Sequence, residues 1–254
     1  MTKFIGIIPA RYASGRLPGK PLLDIGGKPM IQRVFEQASK ALGADKVWVA
    51  TDDQRIFDAV IAFGGQAVMT SENHRSGTDR IAEAASKIGA DTDVVINIQG
   101  DEPFIDPEQI KLLANSFDSP ETDIATLIRP FDPTEGFNHL EDPNKVKVVK
   151  AEDDRALYFS RSVIPYLRGV EKDKWVSTHQ YFIHIGMYAY RTEVLKEITR
   201  LAPAPLEVAE SLEQLRWISN GYTVKVSQTN RTTIGIDTAE DLEEARRYCI
   251  ENNL

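Results

Sequence analysis

The feature that most constrains this chain is the alternation, over its first hundred residues, of short apolar runs with segments of helical period. The apolar run at residues 4–9 predicts a buried strand, and the segment behind Pro29 carries apolar residues at helical spacing as far as Leu42. The near-continuous apolar run at residues 94–98 is typical of a central parallel strand. Repeats of this kind predict an α/β fold with a mostly parallel central sheet flanked by helices.

The second half of the chain is less regular, and the sequence predicts that part of it is antiparallel. Predicted strands lie at residues 124–129, 145–151, 156–159 and 183–190. The stretch at about 155–190 is rich in aromatic residues and is interrupted by Pro165 and Gly169. We expect a single domain over residues 1–254, with this stretch as an excursion that carries a dimer contact or, alternatively, packs in the ordinary core.

Local signals predict several helix boundaries. Asp52 is a plausible N-cap for a helix through Phe63, and residues 238–241 form a capping signal for a final helix. One further helix is predicted over residues 206–217. It would place four residues on one solvated polar face: Glu210, Glu213, Gln214 and Trp217.

Composition excludes several classes of protein. A formal net charge of −8 over 254 residues opposes binding to a nucleic-acid backbone, so an anionic ligand must meet a local basic cluster. The single cysteine and the four histidines form no zinc pattern, and a lone cysteine cannot form an intramolecular disulfide. We find neither a signal peptide nor a membrane-spanning segment in the sequence, and a reducing cytoplasm is the expected compartment.

A basic, glycine-containing loop follows the first predicted strand. Arg11, Arg16 and Lys20 lie within it, together with Gly15 and Gly19. Ligands of open α/β sheets bind at the carboxyl ends of the strands, where glycines admit phosphate oxygens and cations bind them. The loop therefore predicts a nucleoside triphosphate site, with a solvated surface loop as the alternative.

This loop matches neither of the two common nucleotide fingerprints. The spacing from Gly15 to Gly19 is one residue too short for a Walker A loop, and Pro21 stands where that loop carries Ser or Thr. No G-x-G-x-x-G run opens the helix, which argues against a pyridine-nucleotide dehydrogenase. The loop therefore belongs to another kind of nucleotide site.

The loop resembles the signature of the sugar nucleotidyltransferases, in Ile-Pro-Ala-Arg at 8–11 and Arg-Leu-Pro-Gly-Lys-Pro-Leu at 16–22. Further segments, in chain order, resemble the CMP-Kdo synthetase family: 74–80, 97–103, 157–161, 184–188, 212–216 and 235–238. The resemblance covers nearly the whole chain. It implies a Rossmann-like nucleotide-diphospho-sugar transferase fold, a homodimer and transfer of CMP from CTP to the anomeric hydroxyl of Kdo (3-deoxy-manno-octulosonate), for lipopolysaccharide biosynthesis.

The resemblance also implies the residues of the site. The CTP-binding set is Ala10, Arg11, Gly15, Arg16, Lys20, Ser76, Gly77, Arg80 and Gln99. The catalytic set is Arg11, Arg16, Lys20 and Asp101. The sugar-binding set is Gln99, Arg161, His184, Tyr188, Glu213 and Gln214. Magnesium is the expected cofactor, held by Asp101 and Asp237 with phosphate oxygens and water.

Each of these assignments has a structural alternative. Asp101 could form a turn and Asp237 could cap a helix, while Ser76 could cap a helix whose Arg80 lies on the surface. His184 could be a hydrogen-bonded core histidine. Relatives often carry a basic residue just before this histidine, whereas here it is Ile183, so recognition of the sugar carboxylate depends on Arg161 or on a cation that the sequence does not identify.

Two other functions remain open at this point. A CMP-sialic acid synthetase would share the loop but differ in the segments that contact the sugar. A non-catalytic nucleotide-binding subunit would be expected to lose the carboxylates, and both Asp101 and Asp237 are present.

Overall fold

The structure is a computed structural model that describes residues 2–13, 17–89, 91–231, 235–252 and 254. The strands in these ranges are β1 (Phe4–Ala10), β2 (Asp24–Ile25), β3 (Lys28–Pro29), β4 (Val47–Thr51), β5 (Gln66–Met69), β6 (Val94–Asn97), β7 (Ile124–Pro130), β8 (Lys147–Lys150), β9 (Ala156–Ser160), β10 (Phe182–Arg191) and β11 (Val224–Gln228).

The helices in the same ranges are α1 (Met30–Leu42), α2 (Gln54–Ala62), α3 (Gly77–Ile88), α4 (Pro107–Asn115), α5 (Phe137–Glu141), α6 (Trp175–Thr178), α7 (Thr192–Ile198), α8 (Pro205–Glu210), α9 (Gln214–Ser219) and α10 (Ala239–Glu251). A single 3₁₀ turn covers Lys20–Leu22. Within the described residues we find no helix that has both the length and the apolar character needed to cross a membrane.

Two compact units make up the chain: a first unit of residues 1–114 and 232–254, and a second unit of residues 115–231. The first unit holds a parallel sheet in the order β5, β4, β1, β6. Helices α1, α2 and α3 pack against its strands, and the side chains of β1, β4 and β6 are mostly buried, whereas those of β5 are partly buried. Because the strands are parallel, their carboxyl ends share one edge, and the loops after β1 and β6 begin there.

The end of the chain belongs to the core of the first unit. Ile236, Leu242 and Cys249 are buried in one apolar cluster with Ile25 and Met30. Helix α10 starts as predicted, with Thr238 as its N-cap and Asp241 completing a capping box. This packing fixes the segment that carries Asp237.

The second unit is partly antiparallel, as the sequence predicts. Strand β11 runs parallel to β7, whereas β7 pairs with β10, β10 with β8, and β8 with β9 in antiparallel register. The predicted α/β class is therefore confirmed. The expectation of a single domain, with a dimer excursion at residues 155–190, stays a prediction.

Two local predictions are wrong. The N-cap of α2 is Asp53, whose Oδ1 accepts from the Arg55 backbone N–H at 2.9 Å, and not Asp52. The helix expected over 206–217 is broken into α8 and α9, because Ser211 adopts a left-handed conformation with φ 52°. The polar face expected on that helix does not form, and Gln214 and Trp217 are buried.

Candidate functional site

A cleft of about 190 Å³ opens beside the carboxyl end of β1 in the first unit. It is lined by Pro9, Ala10, Arg11, His74, Arg75, Ser76, Gly77 and Arg80. Five residues of the predicted CTP set thus surround one space, although they come from two segments more than sixty positions apart: Ala10, Arg11, Ser76, Gly77 and Arg80.

The start of α3 forms one wall of this cleft. Ser76 is the N-cap, and its Oγ accepts from the Asp79 backbone N–H at 3.1 Å. The first N–H groups of a helix lack partners within the helix and carry partial positive charge, which favours an acceptor or an anion nearby. The capped helix start and the ligand wall are therefore compatible interpretations of Ser76 and Gly77.

The alternative of a surface arginine at position 80 is wrong. Arg80 is only 4% exposed. One terminal nitrogen of its guanidinium donates to Thr70 Oγ1 and the other to Asp52 Oδ2, both at 2.6 Å. The guanidinium therefore ties α3 to the ends of β4 and β5, and it can shape the cleft through this buried ion pair.

His74 is a cleft residue that the sequence reasoning missed. Its Nε2 contacts the Glu83 carboxylate, which also accepts from the Ser71 backbone N–H at 2.9 Å and pairs with Lys87. Burial alone would raise the pKa of Glu83, but the hydrogen bonds from Lys87, Ser71 and His74 lower it to about 2. An ionised carboxylate therefore anchors His74 at neutral pH. The only sequence signal was the position of His74 within the 74–80 segment.

A second group of charges lies where β6 ends. The Lys20 ammonium donates to Asp101 Oδ2 and to Asp237 Oδ1, each at 3.0 Å. The lysine side chain is 14% exposed, whereas those of Asp101 and Asp237 are 37% and 52% exposed. The structure thus brings together three residues of the predicted catalytic and metal sets.

Backbone packing fixes the position of Asp101. The Asp101 carbonyl accepts from the Ile236 N–H at 3.0 Å, which ties the two carboxylate segments together. A Cβ on Gly100 would lie 2.7 Å from the Pro9 carbonyl oxygen, so the loop after β6 approaches the end of β1 as closely as only glycine permits. Asp237 is not a helix cap, because Thr238 takes that role.

The two carboxylates that contact Lys20 fit a magnesium ion whose other ligands come from the substrate and from water. Mg²⁺ favours oxygen ligands and is commonly held by one or two carboxylates plus substrate phosphates and water. Within the described ranges, no group of three His, Cys, Asp or Glu side chains could hold a metal ion. Asp101 and Asp237 thus suit a metal that is bound together with a polyphosphate.

The basic loop after β1 is closed at its ends. The Gly19 N–H donates to the Tyr12 carbonyl at 2.9 Å, with Gly19 in the left-handed region at φ 69°. The Arg55 guanidinium lies 3.3 Å from the centroid of the Tyr12 ring. Gly15 and Arg16, both in the predicted sets, lie outside the described residues.

Gln99, which belongs to both predicted binding sets, comes two residues after β6 and two before Asp101. It is partly buried in the loop at the carboxyl edge of the parallel sheet. Its assignment to the two binding sets stays a prediction.

Aromatic rings surround the predicted sugar residues of the second unit. The His184 ring lies 5.0 Å from that of Phe159 and 5.3 Å from that of Tyr188, and Tyr188 packs edge-on against Trp217 at 5.0 Å. His184 Nε2 is 2.9 Å from Thr126 Oγ1. The bulge between Ile185 and Tyr188 in β10 changes the register of this strand within the group.

These rings are uncharged at neutral pH. Burial lowers the pKa of His184 to about 3. Burial, with Tyr190 and the Glu213 carboxylate nearby, raises the pKa of Tyr188 well above its usual value. His184 is thus a hydrogen-bonded, neutral histidine, and it can give or take a hydrogen bond with a sugar hydroxyl but cannot neutralise a carboxylate.

Glu213 and Gln214 lie where α9 begins, after the left-handed turn at Ser211. The charge of Glu213 contributes to the raised pKa of Tyr188, which places it near the ring group. Gln214 is only 5% exposed. The break between α8 and α9, rather than a continuous helical face, sets the direction of these two side chains.

Arg161 follows β9, and its guanidinium is held by backbone carbonyls. Nε donates to the Glu210 carbonyl at 2.7 Å, and one terminal nitrogen donates to the Pro143 carbonyl at 2.9 Å. The other terminal nitrogen donates to the Ser211 carbonyl at 3.3 Å. Arg161 also lines a separate cavity of about 450 Å³, together with Tyr166 and Trp175.

The structure identifies a further cation beside Ile183, which the sequence reasoning missed. Ile183 is 6% exposed and belongs to an apolar cluster. Directly opposite it on β8 lies Lys147, which is fully buried and donates from Nζ to the Asp142 carbonyl at 2.9 Å. Burial lowers the pKa of Lys147. A basic group therefore faces this part of β10 from the neighbouring strand.

Comparison with known proteins gives consistent matches over almost the whole chain. A family model described as Cytidylyltransferase matches residues 5–234. The chain is 60% identical over 249 residues to the 3-deoxy-manno-octulosonate cytidylyltransferase of Parabacteroides distasonis, with 98% of each chain covered. It is 58% identical over 246 residues to the protein of the same name from Phocaeicola vulgatus, with 97% of each covered.

A solved structure also resembles this chain in fold. It is that of a CMP:2-keto-3-deoxy-manno-octonic acid synthetase complexed with CTP, which superposes with a TM-score of 0.90 at 44% identity. The match covers 99% of this chain and 100% of that one. Sequence and fold therefore agree from one end of the chain to the other.

Proposed function

Since this chain belongs to the cytidylyltransferase family, and within it to the 3-deoxy-manno-octulosonate cytidylyltransferases, we propose that it transfers CMP from CTP to Kdo. The products are CMP-Kdo and pyrophosphate. The observation that carries this proposal is the 60% identity to a relative of that name over 98% of both chains.

The reaction is a direct displacement at the α-phosphorus of CTP. The anomeric hydroxyl oxygen of Kdo forms a new bond to the α-phosphorus, the bond from that phosphorus to the bridging oxygen of the β-phosphate breaks, and the hydroxyl proton passes to solvent. Positioning and charge stabilisation supply most of the catalysis in such phosphoryl chemistry. No covalent enzyme intermediate is needed.

The residues of the first unit would bind the nucleotide. Ser76 and Gly77 present the start of α3 to it, and Arg11 and Lys20, with Arg16, bind phosphate oxygens and stabilise the departing pyrophosphate. The Lys20 ammonium has three N–H donors, and its contacts with the two carboxylates use two of them.

Asp101 and Asp237 are the residues that would hold Mg²⁺. When bound, this ion supplies Lewis acidity at the α-phosphate and lowers the pKa of the attacking hydroxyl. The two carboxylates lie on segments joined by the hydrogen bond between Asp101 and Ile236, so they can act as one site.

The second unit would bind the acidic sugar. Arg161 serves the carboxylate, whereas His184, Tyr188, Glu213 and Gln214 serve the hydroxyls. A site of such polar groups rejects an analogue that leaves them buried and unpaired.

Pyrophosphate release, measured over a matrix of nucleotides and acidic sugars, tests this function. We expect Kdo with CTP to exceed sialic acid with CTP, and to exceed a neutral sugar phosphate with any nucleotide. Equal or better use of sialic acid would replace the assignment with a CMP-sialic acid synthetase. The absence of pyrophosphate release from every pair would favour a non-catalytic nucleotide-binding subunit.

The proposal extends to the assembly and setting of the enzyme. We propose a homodimer, supported by exposed apolar side chains in the 155–190 stretch, where Tyr166 is 73% exposed and Leu157 is 51% exposed. A monomer mass by light scattering at micromolar concentration would contradict it. We further propose that the enzyme works in the cytoplasm and supplies lipopolysaccharide biosynthesis.

A further inference from the structure

Glu210, the last residue of α8, contacts Arg161 through both its side chain and its backbone. Glu210 Oε2 accepts from the Arg161 backbone N–H at 2.9 Å, and the Glu210 carbonyl accepts from Arg161 Nε at 2.7 Å. Glu210 Oε1 accepts from Ser160 Oγ at 2.6 Å. Three bonds therefore fix the end of β9 and its arginine to one glutamate.

The Glu210 carboxylate does not neutralise the guanidinium that it positions. One carboxylate oxygen accepts from the Ser160 hydroxyl and the other from the Arg161 backbone N–H. The guanidinium donates to three backbone carbonyls instead. Within the described residues, no carboxylate lies at salt-bridge distance from Arg161. The three bonds use three of the five N–H groups of the guanidinium, so two can still serve a carboxylate on a ligand.

The same contacts set the turn that leads to Glu213. The Ser211 carbonyl accepts from Arg161 at 3.3 Å, and Ser211 itself has φ 52° and ψ 49°. A residue other than glycine is disfavoured in this left-handed region, so neighbouring contacts must hold it there. Arg161 supplies such contacts, because it donates to the carbonyls of both Glu210 and Ser211.

Lys147 adds positive charge to this part of the second unit. The charges of Glu210 and Arg161 both act on its pKa, Glu210 raising it and Arg161 lowering it, so the three groups lie near one another. Lys147 is fully buried and lies opposite Ser160 on β9. Asp142 and Glu141 also raise the pKa of Lys147, so carboxylates as well as cations lie in this part of the second unit.

We propose that Glu210 is a positioning residue for sugar recognition: it holds Arg161 toward the sugar carboxylate and holds the 211–213 turn that presents Glu213. This inference rests on the proposed function, because it concerns the same sugar site. Glu210 does not touch the substrate, and it acts through the two residues that it orients.

The test is Glu210→Gln, which removes the negative charge and leaves a single side-chain oxygen for the two donors that Glu210 now serves, the Ser160 hydroxyl and the Arg161 backbone N–H. We expect KM for Kdo to rise about tenfold, whereas KM for CTP, and CTP binding measured by calorimetry without sugar, change by less than about twofold. Unchanged KM for Kdo, or equal weakening of CTP and Kdo, would overturn the inference.

Glu207→Gln is the matched control, because Glu207 lies in the same helix and its carboxylate also holds an arginine, Arg216, and the Ala204 backbone N–H. It should lower the unfolding temperature to a similar extent and leave KM for Kdo within about twofold of the parent value. An equal rise of KM in both variants would mean that Glu210 serves stability alone.

A double-mutant cycle with Arg161→Ala separates positioning from general damage. If Glu210 acts largely through Arg161, Glu210→Gln should add less than about threefold to KM for Kdo in the Arg161→Ala background, and full additivity would contradict the inference.

Should Glu210→Gln fail to fold, Ser160→Ala removes one of the same bonds and should raise KM for Kdo about threefold. An unchanged KM for Kdo in Ser160→Ala would count against the inference.

The parent enzyme distinguishes the two levels of failure. If the parent does not turn over Kdo, the proposed function is wrong. If the parent turns over Kdo and the Glu210 variants match the Glu207 control, only the role of Glu210 is wrong.

Discussion

The two units use different chemistry at the residues assigned to the site. In the first unit, charged groups meet at a partly exposed sheet edge, where Lys20 lies between Asp101 and Asp237. In the second unit, neutral rings pack around His184, and the Arg161 charge is held by carbonyl dipoles rather than by carboxylates. A polyphosphate with its metal needs charges that can change partners, whereas a sugar needs fixed hydrogen-bonding directions.

The largest expected effect is a loss of turnover when a charge of the first unit is removed. Asp101→Asn should lower turnover by about a thousandfold or more, because it removes a carboxylate from the metal-binding pair and with it several kcal/mol of transition-state stabilisation. Pyrophosphate release at saturating Mg²⁺ measures it. The control is Asp106→Asn, since an asparagine can still accept the capping bond from the Glu108 N–H. Near-normal turnover of Asp101→Asn would remove Asp101 from the site.

Lys20→Met should change turnover and metal affinity in opposite directions. Turnover should fall about a hundredfold, since a phosphate-binding cation is lost. Without nucleotide, however, Mn²⁺ should bind roughly tenfold more tightly, because no ammonium competes for the two carboxylates. Electron paramagnetic resonance of free Mn²⁺ measures this affinity, with Lys28→Met as control, because Lys28 pairs with Glu36 instead. Equal or weaker Mn²⁺ binding would mean that Lys20 does not occupy the metal position.

Glu213→Ala should affect the kinetics of Kdo but not those of CTP. We expect kcat/KM for Kdo to fall about tenfold through the loss of hydrogen bonds to a sugar hydroxyl, and the apparent affinity for CTP to change by less than about twofold. Initial rates with each substrate varied in turn measure both. If CTP weakened as much as Kdo, the assignment of Glu213 to the sugar would be withdrawn.

The last expected effect is on stability rather than on turnover, and it concerns the neutral rings. The pKa of His184 is about 3 in the folded chain and near 6.5 when unfolded, so the unfolded state binds more protons between these values. The free energy of unfolding should therefore fall as the pH drops from about 6.5 toward 3, by up to roughly 1.4 kcal/mol per pH unit from this group.

Urea unfolding between pH 7 and pH 4 measures this dependence. His184→Gln should flatten it, whereas His139→Gln, at an exposed position, should not. An unchanged slope in His184→Gln would mean that His184 titrates normally in the folded protein, and the contrast between the two units would be weaker than described.

Sequence patterns predicted the first unit better than the second. The alternation of strands and helices and the capping box at Thr238 are local signals, and the structure follows them. The break at Ser211 has no such signal, because neither glycine nor proline marks it and the contacts from Arg161 that hold it come from fifty residues away. Local propensity cannot report a conformation that distant contacts impose.

The burial of two cations could not be predicted from the sequence either. Cations are ordinarily expected on the surface. Arg80 and Lys147 are nevertheless buried, at 4% and 0% exposure. Arg80 is buried because Asp52 and Thr70 accept its bonds, and those partners are identified only once the chain has folded. Lys147 lies on a strand whose register against Ile183 no sequence window reveals.

The close approach of Gly100 to the Pro9 carbonyl has a consequence for genetic variation. A change of one base converts a glycine codon into an alanine codon, and the added methyl group would lie 2.7 Å from that oxygen. The loop would have to shift and carry the neighbouring carboxylate of Asp101 with it. A strain with this allele would retain every charged residue of the site and still be impaired, so sequencing that inspects only the charged positions would classify the gene as intact.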